Sequence, residues 1–144
     1  MKKLTFSVEI NANKSKVWDT LWQDQTFRDW SGLIDPGTYM AGDLKQGNEV
    51  QFISAENGYG VTSLVEKCID GEYLLLKHSA DTQEVGAKER KKEWTGGNES
   101  YALVENNGMT TLTVAFDMPS TQEEYFTAHY PMALERVKEL AEKN

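Results

Sequence analysis

The chain has 144 residues and a formal net charge of −8, with 39% hydrophobic and 26% charged residues. A chain of this length makes one domain, residues 1–144, with a core of its own. The acidic balance argues against nucleic acid as a partner, because phosphate binding needs a basic face, and no apolar run approaches the roughly 18 residues of a membrane span.

Lys3 to Ile10 alternates, with Leu4, Phe6, Val8 and Ile10 on one face and Thr5, Ser7 and Glu9 on the other. This is a half-buried strand and not a signal peptide. Nothing else directs export, so the cytoplasm is the expected location. Asn11 to Asn13 breaks the strand. Val17, Trp18, Leu21 and Trp22 then recur at helical spacing, with Asn13 or Ser15 as cap, and Trp18 and Trp22 read as packing of this helix. A second short helical piece carries Phe27 and Trp30.

From Ser31 to Asn48 the glycines and prolines Gly32, Pro36, Gly37, Gly42 and Gly47 mark a turn-rich stretch, with room for one short strand near Thr38 to Met40. Val50 to Ile53 is a strand, Gly58 and Gly60 mark a turn around Tyr59, and Val61 to Ile69 is a longer strand closed by Asp70-Gly71. Tyr73 to His78 holds Leu74, Leu75 and Leu76 in succession, which predicts a central strand covered on both faces. Ser79 to Glu93 is polar and reads as a hairpin tip. Its basic residues Lys88, Arg90, Lys91 and Lys92 are interleaved with Glu89 and followed by Glu93, so they form a solvated surface. Trp94 begins a strand interrupted by a bend at Gly96-Gly97. Glu99 to Glu105 and Thr110 to Asp117 are strands joined by Asn106-Asn107-Gly108.

Thr121 to Lys143 is the long amphipathic helix of the chain. Phe126, Tyr130, Ala133, Leu134, Val137, Leu140 and Ala141 form its apolar stripe, and Ser120 or Thr121 can cap it. Pro131 removes a backbone donor, so the helix either kinks or breaks just before it, and either outcome leaves room for a cavity under the first turns. The order is β, α, α, six or so β, then a long α. Consecutive strands with short turns and helices segregated to the ends define an α+β fold, a curved antiparallel sheet of six or seven strands around one long C-terminal helix.

The stretches KVWDTLWQDQTFRDW, GNEVQF, GYGVTSLVEK, EWTGGNESYALVENNGMTTLTV and YPMALERVKELAE, in this order, resemble the START/Bet v 1-like (SRPBCC) superfamily. Within it they resemble the bacterial Hsp90-ATPase-activator-homologue (AHSA1-like) group, over essentially the whole chain. One departure is Tyr130, where many members carry a tryptophan before the proline of the final helix. The resemblance implies a helix-grip fold whose cavity, between sheet and C-terminal helix, holds small apolar molecules.

The residues themselves show no GxSxG, no phosphate-binding glycine loop and no HExxH. Cys68 is the single cysteine and reads as a small hydrophobe in a strand, and with only His78 and His129 beside it neither a metal site nor a cofactor is expected. Aromatics are the better candidates for a pocket lining: Trp30, Tyr39, Phe52, Tyr59, Trp94, Tyr101, Phe116, Phe126 and Tyr130. Leu76 and His78 share one strand face, and His129 lies near the helix stripe. Either histidine could orient a ligand carbonyl or hydroxyl, or act as acid or base near neutral pH. Glu49, Glu66 and Glu99 sit in strands and are expected to face solvent. The expected function is non-enzymatic binding of a small apolar or aromatic molecule. The alternatives are a cyclase, dehydratase or hydrolase on the same scaffold, or a protein-interaction module of the Hsp90 type.

Overall fold

The computed structural model describes residues 1–56, 58–83 and 93–143. The basic cluster at 88–92 and most of the expected hairpin tip lie outside the described residues.

Alternation sets the strands. In β7 (Met109–Met118) every second side chain, Thr110, Leu112, Val114, Phe116 and Met118, is buried. The same rule aligns Leu4, Phe6, Val8 and Ile10 of β1 (Lys2–Ile10) against the core. Between them in sequence come α1 (Lys14–Trp22), α2 (Asp24–Ser31), β2 (Thr38–Ala41), β3 (Glu49–Ser54), β4 (Tyr59–Ile69), β5 (Tyr73–Gln83) and β6 (Asn98–Asn106). The chain closes with a 3-10 turn at Ser120–Gln122 and α3 (Glu123–Glu142).

The strands form one antiparallel sheet in the order β1-β7-β6-β5-β4-β3-β2. Sequence neighbours pair throughout except β1, which lies beside β7. Because β1 and β2 occupy opposite edges, the connection carrying α1 and α2 must cross the width of the sheet. Its first helix is capped by Asn13, whose side chain accepts from the Lys16 N–H at 2.9 Å. The β6–β7 hairpin turns on Asn107 and Gly108, both at positive φ (55° and 80°), which glycine and asparagine tolerate best.

The core is formed where α3 and α1 meet the concave face. Tyr130, Ala133, Leu134, Val137 and Ala141 are the buried residues of α3. Leu21, Val17, Leu74, Leu76, Leu112 and Val114 are fully buried opposite and beside them. Polar ties fix the helix at its end: the Glu142 carboxylate accepts from the Asn11 N–H at 2.8 Å, and Arg136 forms a two-pronged pair with Asp29 at 2.8 and 2.9 Å.

The structure corrects several sequence expectations. Pro131 does not break the helix; α3 runs through it for 20 residues. Neither Ser120 nor Thr121 caps it, because the 3-10 turn intervenes and Gln122 takes the cap position without a side-chain bond. Gly60 is inside β4, not in a turn: a Cβ there would lie 2.2 Å from the Phe52 carbonyl oxygen, so only glycine lets β3 and β4 pair this closely. Trp94 lies in the turn preceding β6, not in a strand. β5 is the central strand, but Leu75 on its outer face is only half-buried, so among the described residues cover is full on the inner face alone. Cys68 is half-buried in β4, where burial, seconded by Asp70, pushes its thiol pKa up.

Pro131 sits at an exposed position of α3. Replacing it by alanine restores a backbone donor and removes the clash with the preceding turn. Pro131→Ala is expected to stabilise the fold by about 1–3 kcal/mol, read as a higher urea midpoint at unchanged slope.

Candidate functional site

A cavity of about 650 Å³ lies between the concave face of the sheet, α2 and the first half of α3. Side-chain size explains its position. The second half of α3 carries Ala133 and Ala141 among its buried residues and can approach closely, whereas the first half presents Phe126 and Tyr130. Their rings continue into a connected aromatic wall. Phe116 is 5.6 Å from Phe126 and 4.9 Å from Tyr130, and Trp94 meets Phe126 edge-on at 5.4 Å. On the other side Phe27 lies 5.3 Å from Trp30 and 5.8 Å from Phe52. Trp30 is held in place by its indole N–H, which donates to the Leu21 carbonyl at 3.1 Å. At the rim, Tyr59 is 52% exposed, so the lining reaches solvent there.

Trp94 is placed by a buried carboxylate. Asp81 accepts backbone N–H groups of Glu93, Trp94 and Thr95 at 2.8–3.1 Å and the Thr95 hydroxyl at 2.6 Å. Burial opposes its charge, but these donors outweigh burial and hold the carboxyl below its usual range. Asp81 faces inward because of a bulge. Thr62 pairs with Ala80 and Ser63 with His78, so Ser79 is an extra residue and the alternation of β5 shifts by one.

A chain of polar groups runs along one wall. The Ser63 hydroxyl lies 2.7 Å from His78 Nδ1. His78 Nε2 lies 3.7 Å from Glu99 Oε1. The other oxygen of Glu99 accepts from the Tyr101 hydroxyl, which lies 3.2 Å from the Tyr130 hydroxyl. Burial, and secondarily the Glu99 charge, raises the pKa of both tyrosines, so both remain protonated donors.

Of the residues singled out from sequence, Trp30, Phe52, Tyr59, His78, Trp94, Tyr101, Phe116, Phe126 and Tyr130 line this cavity. Leu76 does not; it is fully buried in the core. Tyr39 is half-buried on β2 with the Arg28 guanidinium 5.3 Å over its ring. His129 is not among the lining residues either: its Nδ1–H donates to the Tyr125 carbonyl at 2.7 Å and its ring stacks on Tyr125. Sequence reasoning missed Phe27, Ile34 and above all Glu99, which lines the cavity although it was expected to face solvent. The signal was present, since Glu99 alternates in register with Tyr101 and Leu103. Glu49 and Glu66 are exposed as expected.

No protein-family model matches the chain, and no curated protein matches it. Solved structures do. The solution structure of the Aha1 dimer from Colwellia psychrerythraea is 18% identical, with a TM-score of 0.74 over 99% of this chain and 97% of that one. Protein CV1439 from Chromobacterium violaceum is 12% identical, with a TM-score of 0.73 over 99% of this chain and 98% of that one. DynU16, from the dynemicin biosynthetic locus, is 14% identical, with a TM-score of 0.72 over 99% of this chain and 48% of that one. At these identities the likeness is one of fold. It is the helix-grip, Bet v 1-like architecture: a curled seven-stranded antiparallel sheet, a long C-terminal helix, and two short helices after the first strand.

The Asp81 clamp has a signed pH dependence. Its folded pKa lies below the usual 3.8, so its contribution is fully present above that pH and is lost as pH falls through the lower folded value. Asp81→Asn is expected to cost about 2 kcal/mol at pH 7. The difference from wild type should shrink as unfolding is repeated at successively lower pH below 3.8.

Proposed function

We propose that this chain, acting as a single domain, binds a small apolar or aromatic molecule in the cavity between its sheet and α3. The observation that carries this reading is a cavity of about 650 Å³ with nine Phe, Trp and Tyr side chains in its lining. That volume falls within the range of roughly 300–1,000 Å³ usual for small-molecule sites, which are likewise mostly apolar with a few placed polar groups. The motifs read from the sequence, together with the likeness to the Aha1 dimer, support placing the chain in the Hsp90-ATPase-activator-homologue group. The Aha1 likeness also supports a protein partner or a second copy of the chain as a further associate of the same fold.

One observation favours a second reading, catalysis of the cyclase, dehydratase or hydrolase type. His78, Glu99 and Tyr101 converge on the cavity, and such groups can act as acid or base on a bound substrate. Binding without turnover remains the first reading, because nine aromatic side chains line the cavity and suit an apolar or aromatic guest.

Native mass spectrometry of protein purified from its own host, compared with the denatured mass, tests the proposal. The expected result is a reproducible excess of roughly a few hundred daltons, the size such a cavity holds. A clean apo mass, together with no displaceable binding of apolar aromatic probes, would count against it.

A further inference from the structure

Among the buried side-chain atoms of the described cavity lining, hydroxyls are satisfied and one nitrogen is not. The Ser31, Thr38 and Ser54 hydroxyls donate to the carbonyls of Phe27, Asp35 and Pro36. The His78 side chain is 2% exposed, yet its Nε2 has no hydrogen-bond partner among the described residues. Its tautomer follows from its surroundings. Ser63 is fully buried, and His78 Nδ1 is the partner its hydroxyl has, so the hydroxyl donates and Nδ1 accepts. The ring proton is then on Nε2, which also suits the carboxylate 3.7 Å away better than a lone pair would.

That distance is too long for a direct hydrogen bond, and an oxygen atom placed about 2.8 Å from both groups would bridge them. Such an oxygen must accept from Nε2–H and donate to Glu99 Oε1. A hydroxyl does both. A carbonyl or ether only accepts, and an ammonium only donates and would face the Nε2 proton. An anionic group is disfavoured, because it would have to stand against the Glu99 carboxylate. The rings of Trp94, Phe116 and Phe126 form the neighbouring wall and suit an apolar or aromatic body.

We propose that His78 and Glu99 form a polar subsite that selects a ligand carrying an uncharged hydroxyl, an alcohol or phenol, on an apolar or aromatic body. This inference rests on the binding reading above and names the ligand class for the same cavity. Ser63 positions His78, and Tyr101 and Tyr130 position Glu99 from the other end of the polar chain.

Calorimetric titration of the full chain with 2-naphthol, 2-methylnaphthalene and 2-naphthoate tests it. The three probes share one ring system and differ in the group offered to the subsite. The expected result is naphthol binding about tenfold more tightly than methylnaphthalene, with naphthoate weaker than naphthol. In His78→Phe and in Glu99→Met the naphthol-to-methylnaphthalene ratio should fall towards one. Equal wild-type affinities, tighter naphthoate, or a ratio that neither substitution moves would overturn the subsite while leaving the binding proposal in place. Failure of all three probes to bind the wild-type chain would overturn both.

Discussion

One long helix has to cover the concave face of a seven-stranded sheet, and it is too narrow to do so. Seven strands at about 4.8 Å spacing span roughly 30 Å, whereas an α-helix with its side chains is about 10 Å across. The rest of the face must be covered by something else, because an apolar sheet face left in water forfeits the main driving force of folding. Here α1 and α2, carried across the sheet from one edge strand to the other, supply part of the cover with Trp18, Trp22, Phe27 and Trp30. Small residues let the second half of α3 approach closely. The first half carries Phe126 and Tyr130, and the cavity occupies what is left.

The same geometry explains why buried polar groups in and around the cavity are tied into hydrogen bonds. A buried donor or acceptor without a partner costs more than a typical hydrogen bond contributes, so inward-facing polar side chains must satisfy each other. Asp81 does so by taking up the backbone N–H groups of the turn that carries Trp94. Glu99 does so through Tyr101, whose hydroxyl continues to Tyr130 on the helix. The polar chain thereby ties β6 to α3 across the cavity wall, and sheet and helix share a polar contact where ring packing alone would leave them free to slide.

Local pattern made most of the architecture legible. Alternation identifies β1 and β7, helical spacing identifies α1 and α3, and Asn107-Gly108 identifies the last hairpin, because each signal arises from neighbours along the chain. Most of the aromatic lining was legible too, since large rings between a sheet and a helix have few other places to go. Leu76, Tyr39 and His129 were not separable from true lining residues by pattern. Position along an element says which face a side chain shares, but not whether core, solvent or cavity lies opposite that face.

What the sequence by itself determined is therefore the kind and order of elements, the antiparallel sheet and the apolar character of its inner face. These depend on periods of two and 3.6 residues and on turn chemistry, all local. Tertiary structure alone decided the rest. The bulge at Ser79 shifts the alternation of β5 and brings Asp81 inward, and a bulge depends on the partner strand. The pairing of β5 with β6 sets Glu99 near His78, two residues 21 positions apart that no spacing rule relates. Continuity of α3 through Pro131 was likewise settled outside the helix, where packing of its buried stripe against β1 and α1 outweighs one lost backbone bond.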